Sequence, residues 1–99
     1  MNGLQPWLSP WADALVRQFP SLRVTSTYRS YTEQLSLWNT RSRSPYPIAP
    51  PGRSWHGYGR AWDMVGPAAD LATAGAVWRS WGGTWGGGFG NVDPIHFQA

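Results

Sequence analysis

Two short segments of this 99-residue chain combine histidine with aspartate, and the chain has no other histidine. One runs from His56 to Asp63 and the other from Asp93 to His96. Two imidazoles and one carboxylate are a typical ligand set of catalytic zinc, which keeps a fourth position open for water. We therefore expect His56, Asp63 and His96 to form a zinc site. Non-haem iron oxygenases use the same ligand types, but their carboxylate usually lies two residues from the first histidine.

Asp93 and Arg29 are the candidates for the remaining chemistry of a hydrolase. Asp93 precedes His96 by three residues, so its carboxylate can lie beside the metal and act as a general base without being a ligand. Arg29 can stabilise the negative charge of a tetrahedral intermediate. Two simpler interpretations stay open, namely that Asp93 is a turn residue ahead of Pro94 and that Arg29 only pairs with Glu33.

The first third of the chain predicts a helix followed by a strand. Ser9 as the N-cap and Pro10 at the first helical position predict a helix that Pro20 ends. Alternating residue character over 22–27 is typical of a half-buried strand.

A second helix is predicted directly after this strand. Ser30 and Glu33 have the spacing of a capping box, and the helix should end near Asn39. Its apolar stripe, which we expect to be buried, consists of Tyr31, Leu35 and Trp38.

The rest of the chain predicts a loop, two short strands and a third helix. Residues 40–53 are rich in proline and lack periodicity, so they predict a surface loop. A strand is expected over 60–65, a helix opening at Pro67, a tightly folded glycine and aromatic loop over 81–90, and a strand over 95–98. Helices interleaved with short strands predict an α+β domain, in which about three helices flank a small antiparallel sheet.

Composition narrows the class of protein further. Apolar residues make up 41% of the chain and charged residues 13%, which excludes a disordered tail. The chain has no cysteine, and this excludes disulfides and thiolate zinc sites. It has eight basic and five acidic residues, for a net charge of +3, which favours an anionic partner. We predict one domain over residues 1–99, without membrane insertion and without a signal peptide.

One motif in the chain is shared with a known family. The run Ser54-x-His56-x-x-Gly59-x-Ala61-x-Asp63, followed by an acid three residues before a His-Phe pair, resembles the zinc D-alanyl-D-alanine peptidases and the related phage L-alanyl-D-glutamate endopeptidases. These enzymes have the Hedgehog/DD-peptidase fold. The stretch Trp81-Gly82-Gly83-x-Trp85 and the ending His96-Phe97-Gln98 are closer to the endopeptidase branch.

This resemblance implies a role for each candidate residue. It implies that zinc is bound by His56, Asp63 and His96. Asp93 would be the catalytic acid and base, Arg29 would stabilise the oxyanion or grip the substrate carbonyl, and Ser54 would line the substrate pocket. Trp55 and Trp85 lie beside motif residues, and we expect them to wall the cleft.

The expected function is therefore zinc-dependent hydrolysis of peptidoglycan stem peptides, with an endolysin-type L-alanyl-D-glutamate endopeptidase as the first choice. The alternatives are a D-alanyl-D-alanine carboxypeptidase or dipeptidase, and a zinc-containing module that only binds the cell wall. A binder of single-stranded nucleic acid is disfavoured, because no periodic basic and aromatic groove is visible. We expect a monomer that is made in the cytoplasm and acts at the bacterial wall, as a phage lysin or an excised domain.

Overall fold

The computed structural model describes residues 1–99 and contains three α-helices and one four-stranded sheet. The helices are α1 (Ser9–Arg17), α2 (Tyr31–Asn39) and α3 (Ala68–Ser80). The strands are β1 (Arg23–Ser26), β2 (Ala61–Val65), β3 (Thr84–Trp85) and β4 (His96–Gln98). Short 3-10 turns cover Arg41–Arg43, Trp55–Tyr58 and Gly86–Gly88. The predicted α+β class is confirmed. None of the helices combines the length and the apolar character needed to span a bilayer.

The sheet has the strand order β1-β2-β4-β3, and every neighbouring pair is antiparallel. Side chains alternate between the two faces of the sheet along the central strand β2, and four consecutive buried residues show that both faces are covered. Trp62 and Met64 belong to the hydrophobic core, whereas Asp63 points to the opposite face. The β2–β4 register places Asp63 directly opposite His96. The sheet therefore brings together two side chains that lie 33 residues apart in the chain.

Aromatic residues form the centre of the core. Trp62 stacks on Phe97 with a centroid distance of 5.4 Å and meets Trp78 edge to face at 4.9 Å. Such pairs contribute about 0.5–1.5 kcal/mol beyond the burial of their area. Leu71, Ala74 and Trp78 are the buried apolar residues of α3, as their helical spacing predicts.

The start of α1 differs from the prediction. Ser9 is the first helical residue and does not cap the helix, since Leu8 occupies the N-cap without a side-chain bond. The Ser9 hydroxyl instead accepts a hydrogen bond from the amino group of Met1 at 2.6 Å and donates one to the Met1 carbonyl at 3.0 Å. Met1, eight positions away, thus competes for the hydroxyl. The local N-cap pattern could not reveal such a tertiary contact.

The capping box of α2 is confirmed, but its buried face is not the apolar stripe. Ser30 accepts from the Glu33 amide, and the Glu33 side chain accepts from the Ser30 amide. Tyr31 and Leu35 are exposed, and the one buried residue is Gln34. This helix packs against the polar candidate site described below and not against the hydrophobic core. At that site a glutamine side chain finds polar partners. Trp38 is accordingly only half-buried.

Loss of the α2 cap should destabilise the protein measurably. Ser30→Ala leaves the Glu33 amide without its acceptor and should cost about 1 kcal/mol, the usual loss for a serine N-cap. Denaturant unfolding monitored by circular dichroism measures this difference. Ser36→Ala, on the exposed side of the same helix, is the matched control and should leave stability unchanged. Equal stability of the two variants would show that the box contributes nothing.

The contribution of Glu33 should depend on pH. Hydrogen bonds from the Ser30 amide and hydroxyl lower the pKa of Glu33 below its ordinary value of 4.5. A depressed carboxyl pKa stabilises the fold above the unfolded-state value, and this stabilisation is lost as the pH falls through the folded-state value. The wild type should therefore exceed Glu33→Ala in stability at neutral pH, and the gap should shrink below pH 4.5. A gap that widens in acid would contradict this sign.

Candidate metal centre

His56 is held by the 3-10 turn Trp55–Tyr58. Ser54 caps this turn by accepting from the His56 amide at 3.3 Å, and Gly59 ends it with φ of +66°, a conformation that favours glycine. The His56 Nδ1 lies 2.6 Å from the Thr27 carbonyl oxygen, an acceptor, so Nδ1 carries the proton. The Nε2 lone pair is therefore free to bind another group.

Asp63 and His96 reach the same point from the paired strands β2 and β4. The His96 Nε2 lies 2.6 Å from the Gln98 Oε1 and donates to it. This bond leaves His96 Nδ1 as the free nitrogen, and that atom faces Asp63. Each histidine thus has one nitrogen fixed by a neutral acceptor and the other turned inward, the usual arrangement of metal-binding imidazoles.

Three potential ligand atoms converge at this point. The Asp63 Oδ1 lies 3.2 Å from the His56 Nε2 and 3.4 Å from the His96 Nδ1. The ligand atoms of the three residues all lie within 4.8 Å of one another, and the residues are buried. Neither contact has hydrogen-bond geometry, so the Asp63 Oδ1 is a buried oxygen with no donor. A buried carboxylate oxygen without a donor is rare and indicates a site for a cation.

The two separations measured from the Asp63 Oδ1 fit a tetrahedral zinc ion. Two atoms bonded to one zinc at about 2.0–2.1 Å lie about 3.3 Å apart when the angle between the bonds is tetrahedral. The separations of 3.2 and 3.4 Å at Asp63 match this value. The structure thus brings the three residues predicted as ligands together at one point.

Asp63 stays ionised despite its burial. Burial alone would raise its pKa, but the protons that His56 and His96 can direct towards it in the metal-free protein, together with the charge of Arg29, outweigh burial and hold the pKa of this carboxyl well below its usual range. The Arg29 Nη2 donates to the Asp63 Oδ2 at 2.9 Å. The two oxygens of Asp63 therefore face different groups, with Oδ2 on the guanidinium and Oδ1 toward the imidazoles.

Arg29 is fixed by three hydrogen bonds. Besides Asp63, its guanidinium donates to the Ser26 Oγ at 3.0 Å and the Gln34 Oε1 at 3.3 Å. It does not pair with Glu33, whose carboxylate is taken by the capping box. A guanidinium has five N–H donors, so two N–H groups remain for another ligand. Arg29 lines the same cavity as the three potential metal ligands.

Asp93 also lines this cavity but is held differently from Asp63. Its Oδ1 is buried and has no hydrogen-bond partner. Burial and the negative charge of Asp63 raise the pKa of Asp93 above its usual value. The Asp93 backbone bonds to Gly86 and His96 at 2.9 and 3.1 Å, and a Cβ on Gly86 would overlap the Asp93 carbonyl oxygen. Gly86 therefore permits the close approach that positions Asp93.

The cavity has a volume of about 440 Å³ and a wall built from the proline-rich loop. Ser44, residues 46–49 and Arg53 contribute this wall, and Ser54 and Trp55 lie at its end. The Ser54 hydroxyl also serves as the cap of the turn that carries His56. The predicted surface loop thus forms one side of the candidate site.

The structure places Trp85 outside this cavity, contrary to the prediction that it walls the cleft. Its ring lies against Gly75 of α3 and Gly87, where added Cβ atoms would overlap the indole. The Trp85 Nε1 donates to the Pro94 carbonyl at 2.8 Å. The glycines leave room for this large apolar ring, so packing explains its position. Trp85 thereby supports the loop that leads to His96.

Three residues of the site were missed by sequence reasoning. Gln34 binds Arg29 and donates to the Ala49 carbonyl at 2.8 Å, and Gln98 binds His96. Phe89 lines the cavity, with its ring centroid 5.8 Å from that of His96. The two-residue spacing of Gln98 from His96 places both on one face of a strand, a signal that could have identified Gln98. Gln34 had no such signal.

Comparison with known proteins gives one family match. The family model of VanY, D-alanyl-D-alanine carboxypeptidase, matches residues 8–81. The matched range contains Arg29, Ser54, His56 and Asp63 and ends before Asp93. No curated protein sequence matches the chain.

Solved structures extend the likeness over nearly the whole chain. The Serratia marcescens L-Ala D-Glu endopeptidase ChiX is 26% identical with a TM-score of 0.72, over 97% of this chain and 80% of that one. DacB from Streptococcus pneumoniae is 19% identical with a TM-score of 0.69, over 98% and 66% of the two chains. The D,D-pentapeptidase VanY in complex with Zn(II) is 17% identical with a TM-score of 0.67, over 96% and 71%. The expected peptidase-like fold is confirmed.

Gly86 offers a test of how Asp93 is positioned. Gly86→Ala should destabilise the protein by about 1–3 kcal/mol, the usual cost of overpacking, because the new methyl group overlaps the Asp93 carbonyl oxygen. Gly90→Ala is the matched control, since a Cβ there meets no atom within 4 Å. Thermal unfolding compares the two variants. Identical unfolding temperatures would mean that the Asp93 backbone can shift to accommodate the methyl group without loss of stability.

Proposed function

The chain belongs to the VanY D-alanyl-D-alanine carboxypeptidase family, and on that premise we propose that it is a zinc-dependent peptidase that hydrolyses the stem peptides of peptidoglycan. The observation that carries the proposal is the convergence of His56, Asp63 and His96 on one point beside a second carboxylate, Asp93. A pure binding module needs ligands for a metal but has no use for an acid beside them that has a buried oxygen without a partner.

In this proposal His56 Nε2, Asp63 Oδ1 and His96 Nδ1 hold the metal. Zinc, when bound, supplies a Lewis acid that polarises the scissile carbonyl and lowers the pKa of water towards about 7. The fixed bonds from His56 to Thr27 and from His96 to Gln98 keep both imidazoles in the required tautomer. Each ring thus turns its other nitrogen towards the metal position.

Asp93 is proposed as the general base and acid. It lines the cavity, its Oδ1 has no other partner, and its raised pKa favours the uptake of a proton. Asp93 takes a proton from the attacking water and later delivers it to the leaving amine. Asp63 cannot share this role, because its Oδ2 accepts from Arg29 and its Oδ1 is proposed as a metal ligand, and both interactions favour its ionised form.

Arg29 is proposed to support the oxyanion while it positions Asp63. Its bonds to Ser26, Gln34 and Asp63 fix the plane of the guanidinium. The two remaining N–H groups can then donate to the developing negative charge without losing side-chain freedom during the reaction. Ser54 and Trp55, at the end of the cavity, are proposed to contact the substrate peptide.

The bond that is cut is proposed to be L-alanyl-D-glutamate. This choice is supported by the likeness to ChiX, which has a TM-score of 0.72 and whose activity is that of an L-Ala D-Glu endopeptidase. The family match to D-alanyl-D-alanine carboxypeptidases favours the alternative, removal of the terminal D-alanine. The two activities differ in where the peptide ends relative to the metal, and a single substrate can separate them.

Asp93→Ala should abolish cleavage while the protein keeps its zinc. Removal of a general base typically lowers the rate roughly 100- to 10,000-fold, and Asp93 is not one of the converging ligands. His56→Ala is the contrasting variant, which should lose both zinc and thermal stability because metal binding is coupled to folding. Metal content by mass spectrometry and release of amino groups from purified peptidoglycan give the two readouts. Cleavage by Asp93→Ala would refute the assignment of the base.

A defined stem peptide that contains both candidate bonds should identify the specificity. We expect mass spectrometry to detect free L-alanine and a fragment that begins with D-glutamate. Loss of D-alanine from the carboxyl end would support the carboxypeptidase alternative instead. The Asp93→Ala protein serves as the control for contaminating peptidases. An uncut peptide at full zinc occupancy would contradict both activities.

A further inference from the structure

A second groove, of about 710 Å³, adjoins the 3-10 turn that carries His56. It is lined by residues 3–7, residues 57–60 and Tyr28, and we call it the aromatic groove. None of the proposed metal ligands lies in it, and neither does Asp93. The proposed hydrolysis therefore leaves this surface without a role.

The aromatic groove exposes three large rings. Trp7, Tyr28 and Tyr58 are 53%, 54% and 57% exposed, respectively. Aromatic rings gain more from burial than other side chains do, so a group of them left in solvent beside a site indicates a binding surface.

The rings of Trp7 and Tyr58 are held in place by neighbouring groups. The Arg60 guanidinium lies 4.4 Å from the ring centroid of Trp55 and 5.7 Å from that of Trp7, and its Nε donates to the Ala99 carbonyl at 2.7 Å. The Tyr58 hydroxyl donates to the Gly52 carbonyl at 3.0 Å. A ligand that stacks on these rings causes little loss of side-chain entropy, since the surface is already organised.

Trp55 connects the aromatic groove to the catalytic cavity. Trp55 is one of the residues that line the cavity, and its ring contacts Arg60, which lines the groove. Trp55 and Tyr58 lie at the two ends of the turn that carries His56. A molecule that fills both sites would thus pass from one to the other across this turn.

We propose that the aromatic groove binds a sugar ring of the glycan strand to which the stem peptide is attached. This inference rests on the proposed function. A pyranose has a face of C–H groups that can pack on aromatic rings and a rim of hydroxyl and amide groups that need polar partners. The groove offers both, because its rings alternate with the polar side chains of Gln5 and Arg60 and with backbone at Gly57 and Gly59.

The charge of the groove argues against a polyanion as the occupant. Arg60 is the only charged residue among those that line it. Nucleic acids are bound through several cations that neutralise phosphates. A neutral saccharide needs no such cluster.

Two substrates with the same scissile bond test the inference, namely a free stem peptide and the same peptide linked to a disaccharide. Trp7→Ala and Tyr58→Ala should each raise KM for the linked substrate by roughly threefold to tenfold, as expected for loss of one aromatic contact. Both should leave kcat, and KM for the free peptide, unchanged. Trp11→Ala, an equally exposed tryptophan on α1 outside the groove, should behave as the wild type. Equal effects on both substrates, or none on either, would overturn the proposal.

A peptide-free probe separates this inference from the proposed function. A tetramer of N-acetylglucosamine, titrated into the wild-type protein, should shift the indole N–H resonance of Trp7, and Tyr58→Ala should weaken the binding. Thermal unfolding of each variant identifies any that fails to fold. Saccharide binding without cleavage of either substrate would refute the proposed function and support the groove. Cleavage without saccharide binding would refute the groove alone.

Discussion

The buried, ionised carboxylate of Asp63 is the group around which the site is organised. A carboxylate removed from water is strongly destabilising unless it is paired. Arg29 pairs with one oxygen, and the imidazoles of His56 and His96 face the other. Three separate segments must therefore meet at one strand residue, and the antiparallel pairing of β2 with its neighbours makes this possible.

Two carboxylates line the cavity of this VanY-family protein, and their surroundings shift their pKa values in opposite directions. The pKa of Asp63 is held low by contacts with the histidines and Arg29, whereas that of Asp93 is raised by burial and by the charge of Asp63. Groups of the same chemical type can take different roles when their environments shift their pKa values in opposite directions. This separation is the physical basis for proposing one as a ligand and the other as a base.

The glycine-rich loop has a structural purpose in this arrangement. Gly86 admits the Asp93 backbone, and Gly75 and Gly87 admit the ring of Trp85. Trp85 in turn binds the Pro94 carbonyl, directly beside Asp93. A segment whose composition resembles low complexity is thus closely packed, and its glycines place the proposed base at the cavity.

The order and type of the main elements could be predicted from the sequence alone. Helix caps, proline positions and residue periodicity act over a few neighbouring residues, and this is why the Ser30 capping box, the apolar stripe of α3 and the strands β1, β2 and β4 were recognised. The two-residue strand β3 lies in the segment predicted as a loop, because its pairing with β4 leaves no local pattern. The motif residues His56, Asp63 and His96 were recognised for the same reason, since their types and spacing are visible in the chain. Their role as ligands stays a proposal, as does the single-domain boundary.

What a side chain binds was decided only by the tertiary structure. Arg29 bonds to Asp63 across 34 residues, and the His56 ring is oriented by a carbonyl 29 residues away. The exposed stripe of α2, the diverted hydroxyl of Ser9 and the packing of Trp85 have the same origin. Each depends on which distant group occupies the neighbouring space, and local periodicity carries no information about such contacts.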